Sequence, residues 1–144
     1  MTLGMLKLVI DTNVVISSLL KPESNPALIM SLILRGDCTL CVTEAIFVEY
    51  EEVLGRGKFK KLDQAGVGEF LATLRKRASW VVPKVTIDDV TKDPDDNAFL
   101  ECALESKADF LITGNIHHFP EKKFRHTSIV TPSEFVFHAV KLIK

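Results

Sequence analysis

The sequence is short of several things, and each shortage excludes a class. No stretch comes near the roughly 20 consecutive apolar residues that a membrane helix needs. The opening residues show neither the basic start nor the small-residue cleavage site of a signal peptide. Cysteine is scarce: Cys38, Cys41 and Cys102 are odd in number and too few for a disulfide scaffold. A reducing, cytoplasmic setting with no membrane partner is therefore expected. Residues Met1 to Gly4 read either as an addition or as an upstream start, with Met5 an equally good beginning. Net charge is nearly absent too, at −1, so the average field does not draw a polyanion. Such a partner must be held by local charge or by metal. No internal repeat or low-complexity tract interrupts the chain.

What is present is an ordinary globular composition. Hydrophobic residues make up 47% and charged residues 26% of the 144 positions, which excludes disorder, collagen and coiled coil as overall descriptions. Surface scaling buries about two-thirds of a chain of this size, enough for a core without staples. One domain spanning 1–144 is expected.

Short apolar runs alternate with helical patterns. Leu6 to Ile10 stops at Asp11 and suits a buried strand. A helix is expected from Asn13 to Leu20, then a loop through Asn25, with Pro26 in the first turn of a helix ending near Gly36. Cys38 to Val42 is a second strand. Thr43 caps a helix that has Glu44 in its first turn and ends near Gly55. From Arg56 to Arg77, seven basic residues face two acidic ones, a local excess of +5, and Phe70, Leu71 and Leu74 keep helical spacing. Trp80 to Val82 is a brief strand. Asp93-Pro94 starts a helix running to about Lys107. Asp109 to Thr113 is a strand closed by Gly114, and Ser128 to Val130 is the last strand. Thr131-Pro132-Ser133-Glu134 forms a capping box that opens the C-terminal helix. Strands that are apolar throughout, separated by helices, predict an α/β fold with a parallel sheet covered on both faces. Ligands bind such sheets beyond the carboxyl ends of the strands.

At those ends the chain places hard oxygen donors. Asp11 ends the first strand, and Thr113-Gly114-Asn115 ends a later one. Asp93, Asp95 and Asp96 start a helix, and Glu49 lies within the helix after the second strand. Such donors suit Mg²⁺ or Mn²⁺ rather than zinc. Clustered carboxylates need a cation or protons to relieve their repulsion. Each residue also has a plainer reading. Asp11 and Asp93 are good helix caps, Asp96 suits the other half of a capping arrangement, and Asn115 after glycine is ordinary turn chemistry. The helical wheel puts Glu49 and Glu51 at opposite edges of the stripe formed by Ile46, Phe47, Tyr50, Val53 and Leu54, and does not choose between them. His117, His118 and His126 lie within ten residues but lack a cysteine partner for zinc, and Cys38-x-x-Cys41 is half a zinc site without its second pair. These histidines are alternatively phosphate contacts or loop shapers beside Asn115. Phe119, Phe124, Phe135 and Phe137 divide between core, dimer surface and base stacking.

Four motifs in order resemble the PIN domain family. Leu8-Val9-Ile10-Asp11-Thr12-Asn13 is similar to its opening. Glu49-Tyr50-Glu51-Glu52-Val53-Leu54 is similar to its second acidic motif. Asp93-Pro94-Asp95-Asp96-Asn97 resembles the third, and Leu111-Ile112-Thr113-Gly114-Asn115 the fourth. The resemblance covers about Leu6 to Phe135. It implies a three-layer α/β/α sandwich with a central, mainly parallel sheet, and a Mg²⁺- or Mn²⁺-dependent ribonuclease acting on single-stranded RNA. It further implies the toxin of a toxin–antitoxin pair, an antitoxin partner and a homodimer. Carried over by position, Asp11, Glu49 and Asp96 are catalytic metal ligands, Asp93 is an auxiliary ligand, and Thr12, Asn13, Thr113 and Asn115 flank the substrate. Asn115 departs from the family, since many relatives carry Asp there, and this weakens a second metal position. The +5 segment, with Lys122, Lys123 and Arg125, is either an RNA guide or a solvated face. The rival readings are a catalytically weakened scaffold of the same fold, a structure-specific DNA nuclease, and a phosphatase with Asp11 as nucleophile. The last lacks the usual Asp-x-Asp start, because Asn13 stands in the third place.

Overall fold

The structure is a computed structural model that describes residues 6–59, 62–88, 90–91 and 93–143. The alternative starts at Met1 and Met5, and Lys60 and Lys61 of the basic segment, lie outside the described residues. Among the described residues, six strands and six α-helices follow one another in mostly alternating order. They are β1 (Lys7–Ile10), α1 (Thr12–Leu20), α2 (Asn25–Leu34), β2 (Thr39–Val42), α3 (Glu44–Leu54), α4 (Gln64–Arg77), β3 (Ser79–Trp80), α5 (Pro94–Ser106), β4 (Phe110–Ile112), β5 (Lys123–Phe124), β6 (Thr127–Val130) and α6 (Pro132–Ile143).

The strands form one sheet in the order β3-β2-β1-β4-β6-β5. Every pairing is parallel except β5 with β6. From β1 the chain steps outward through β2 to β3, then recrosses to β4 on the other side of β1. Right-handed crossovers therefore send α1 to α4 to one face and α5 to the other. The packing agrees: α1 lies against α2 and α3, α2 against α4 and α6, and α5 against β1, β2 and β4. This is the expected three-layer α/β/α sandwich. The strand order reverses between β1 and β4, so the crevice beyond their carboxyl ends is where a ligand should sit.

Local chemistry sets the boundaries. The hydroxyls of Ser24 and Thr43 accept from the N–H groups of Ala27 (3.3 Å) and Ile46 (3.2 Å), capping α2 and α3. At the end of α2, Gly36 adopts φ +84, with Gly36 N–H on the Ile33 carbonyl and Asp37 N–H on that of Leu32. That pair of bonds is a Schellman closure, and its positive φ is why glycine stands there. The capping box of α6 forms reciprocally: Thr131 N–H donates to Glu134 Oε1 (2.9 Å), and Glu134 N–H to Thr131 Oγ1 (3.3 Å).

Two boundaries differ from the sequence reading. The strand expected over Trp80 to Val82 is β3, Ser79–Trp80, on the sheet edge, where Val82 is 81% exposed and offers no burial to extend it. The antiparallel β5 was not foreseen. It is two residues long and turns into β6 through Arg125 at φ +55, so no Asn-Gly or Gly signal marks it. The main core joins both helix layers across β1, β2, β4 and β6. A smaller cluster of Ile16, Val53, Leu54 and Val67 packs Phe59 beneath the loop after α3.

Candidate active site

Asp11 is positioned by the centre of the sheet. Its N–H donates to the Ile112 carbonyl (3.0 Å), continuing the β1–β4 ladder by one residue. Its own carbonyl accepts from Val14 and Val15 and begins α1. The carboxylate then takes two partners. Oδ1 accepts from Asn13 N–H at 3.4 Å, a long cap bond, and Oδ2 accepts from Thr113 Oγ1 at 2.7 Å. The Thr113 hydroxyl in turn accepts from Asn115 N–H at 3.0 Å. Cap and site wall are thus the same carboxylate. Burial raises the Asp11 carboxyl above its ordinary value, with the Thr113 and Asn13 hydrogen bonds opposing it.

Glu49 and Tyr50 pin α3 to the same strand end. Thr12 Oγ1 donates to Glu49 Oε2. Tyr50, fully buried, donates its hydroxyl to the Ile10 carbonyl at 2.5 Å. This settles what the helical wheel left open. Glu49 is half-buried at the sheet end, whereas Glu51 is exposed beside Arg75 at 3.9 Å. Tyr50 as a brace was not foreseen, because it counted only as part of the apolar stripe.

Asp93 and Asp96 arrive on the first turn of α5. The approach is locked by Thr91, whose N–H and hydroxyl both reach Asn97 Oδ1 (3.1 and 2.9 Å), while Asn97 Nδ2 returns a bond to the Thr91 carbonyl (3.3 Å). The Asp93 carbonyl accepts from Asn97 N–H and from Thr91 Oγ1. Asp96 is 5% exposed, and its Oδ2 lies 3.2 Å from Nδ1 of the half-exposed His118. Burial raises the Asp96 carboxyl first, then the charges of Asp93 and Asp11, against His118. His118 as the partner of Asp96 was missed. Its sequence signal was only its place three residues after Asn115, in the loop closing β4.

These groups line one cavity of about 460 Å³. Asp11, Glu49, Asp93 and Asp96 stand on its wall with Thr12, Asn13, Asn115 and His118, and Arg56 and Phe59 line it too. Thr113 is fully buried behind Asp11 and supports the wall rather than forming it. The donor set is hard carboxylate oxygen, which fits Mg²⁺ or Mn²⁺ in kind. Among the described residues, no three His, Cys, Asp or Glu side chains converge tightly enough to hold a metal ion as they stand. Asp11, Glu49 and Asp96 are each turned to a partner of their own, Thr113, Thr12 and His118. The charges of Asp93 and Asp11 nonetheless reach Asp96.

The competing zinc arrangements do not form among the described residues. His117 and His118 pack ring against ring at 4.8 Å. Cys38 and Cys41 are buried free thiols, and burial pushes the Cys38 thiol up to about 11. Part of the basic segment is structural: Arg75 stacks over Phe47 (4.9 Å) and Trp80 (5.0 Å), and its carbonyl accepts from Trp80 Nε1. Phe119 and Phe135 are buried, Phe124 is half-buried, and Phe137 is 66% exposed on α6.

The fold is an α/β/α sandwich with an acidic crevice at the carboxyl end of its central strands. The PIN domain family profile matches residues 7–117, so the chain belongs to the PIN domain family, whose members are generally metal-dependent nucleases. The chain is 32% identical over 147 aligned positions to the uncharacterized protein MJ1680 of Methanocaldococcus jannaschii, covering 96% of this chain and 94% of that one. It also superposes on the crystal structure of PAE2754 from Pyrobaculum aerophilum with a TM-score of 0.59. That match covers 97% of this chain and 92% of the other, and at 10% identity it speaks to the fold alone.

Proposed function

We propose that this protein is a Mg²⁺- or Mn²⁺-dependent endoribonuclease that hydrolyses phosphodiester bonds in single-stranded RNA. The observation that carries this reading is the meeting of Asp11, Glu49, Asp93 and Asp96 on one cavity at the switch point of the sheet. Asp11, Glu49 and Asp96 would hold the ion, with Asp93 as an auxiliary ligand. When bound there, a divalent ion lowers the pKa of water and offsets charge developing on the scissile phosphate.

The rest of the chemistry belongs to the chain. Thr113 and Thr12 aim the Asp11 and Glu49 carboxylates through their hydroxyls. Asn13 and Asn115 present amides on the cavity wall, suited to phosphate or sugar oxygens. Arg56 adds positive charge at the same cavity. No side chain need act as nucleophile: water adds to phosphorus, one P–O bond breaks, and the departing oxygen takes a proton. Asn115 is neutral, which favours a single strong metal position.

The same reading extends to partners. We propose a cytoplasmic toxin that works as a homodimer and is restrained by an antitoxin. The exposed Phe137 and Val140 on α6 suit such contacts. No described helix is long and apolar enough to cross a membrane. A second reading, a weakened PIN-fold scaffold, is favoured by Asn115 and by carboxylates that do not converge.

The test is cleavage of a mixed-sequence single-stranded RNA with Mn²⁺, with EDTA, and by Asp11→Asn, beside a flap DNA. Cleavage of RNA alone that disappears in both controls is expected. Folded protein with Mn²⁺ that leaves RNA intact supports the scaffold, and preferential flap cutting supports a DNA nuclease.

A further inference from the structure

A second cavity, of about 430 Å³, shares Asp93, Asp96 and His118 with the first. Its own walls are Val90, Thr91, His117 and Pro120. The volume is within the usual range for small-molecule sites. The two cavities therefore adjoin at Asp93, Asp96 and His118, and what occupies one is next to what occupies the other.

What this second cavity offers is chemically narrow. Thr91 is engaged with Asn97 and the Asp93 carbonyl. His118 is engaged with Asp96 through Nδ1. His117 is exposed, and its ring stands at 85° to that of His118 with centroids 4.8 Å apart, so the His118 ring braces it. Val90 and Pro120 add apolar surface. A ring face and apolar walls suit a flat, uncharged, aromatic group. The shared Asp93 and Asp96 carboxylates add acceptors for the amino groups of a base.

We propose that this second cavity is a nucleobase subsite, in which His117 stacks on the base adjoining the phosphate held in the first cavity. The inference rests on the nuclease reading and deepens it. Stacking tolerates sequence because every base has a π-face, so the subsite supplies affinity and a mild preference rather than a strict code.

The test measures binding separately from cleavage. AMP and ribose 5-phosphate are titrated with Mg²⁺ into wild type, His117→Ala and His117→Phe, by calorimetry and by NMR of the histidine ring protons. Wild type is expected to bind AMP about tenfold more tightly than ribose 5-phosphate. His117→Ala should close that gap and His117→Phe should keep it, with His117 ring protons shifting on AMP alone. Equal affinities in wild type, a gap that survives His117→Ala, or no AMP binding at millimolar concentration overturns the subsite. A protein that keeps the gap yet leaves RNA intact loses the nuclease reading and retains the subsite. One that cleaves RNA without the gap does the reverse.

Discussion

The two walls of the acidic cavity are built differently. Asp11 extends a central strand, and its carboxylate is tied to the β4 end through Thr113 and to its own helix through Asn13. Asp96 rides on a helix turn, and its partner is the half-exposed ring of His118. Burial raises both carboxyls as the first cause. The partners differ: one is a fully buried hydroxyl, the other an imidazole in contact with water. The Asp11 carboxylate is thus held by a buried partner across the sheet, and the Asp96 carboxylate by a partner open to solvent.

The largest expected effect falls on both walls alike. Asp11→Asn and Asp96→Asn should each lower metal-dependent cleavage by about a hundredfold or more, read as kcat/KM. Stability should move the opposite way. Both carboxyls hold protons more tightly folded than unfolded, so the native state binds more protons once pH exceeds the ordinary value of 3.8. Stability conferred by the protonated form then declines as pH rises through the raised folded values. Metal-free Asp11→Asn should therefore unfold at higher denaturant than wild type at pH 7. The difference should vanish near pH 3, and saturating Mg²⁺ should reverse it by stabilising wild type alone.

A smaller effect isolates the Asp11 wall. Thr113→Val removes a buried donor and should cost about 1–3 kcal/mol in chemical denaturation. It should also weaken Mn²⁺ binding, because the Asp11 carboxylate loses its orientation. Tyr50→Phe should cost about 1 kcal/mol through the lost bond to the Ile10 carbonyl, with little change in metal affinity. His118→Ala should be the mildest for stability, within about 0.5 kcal/mol, since the ring is half in water. If His118→Ala instead destabilises as much as Thr113→Val, the contrast between the walls is wrong.

Much of this was legible in the sequence, and the unread parts share a cause. The strands β1, β2 and β4 are largely apolar runs with clear stops, and Ser24, Thr43 and the Thr131–Glu134 box announce their helices locally. Asp11, Glu49, Asp93 and Asp96 were marked by strand ends and family spacing, and the fold places them on one cavity. Contacts that join segments far apart in the chain were not readable. Thr113 sits 102 positions from Asp11, His118 lies 22 from Asp96, and Tyr50 lies 40 from Ile10. No local pattern encodes those pairings, which follow from the recrossing of the sheet between β3 and β4. β5 escaped because a two-residue edge strand has no period to detect.

The most direct measurement is calorimetric titration of Mn²⁺ into wild type, Asp11→Asn, Asp96→Asn and, as a control outside the cavity, Glu52→Gln. One strong site in wild type and Glu52→Gln, lost in both aspartate variants, is the expected result. Undiminished Mn²⁺ binding in Asp11→Asn, or none in wild type, would contradict the claim that these carboxylates form a single divalent-metal site.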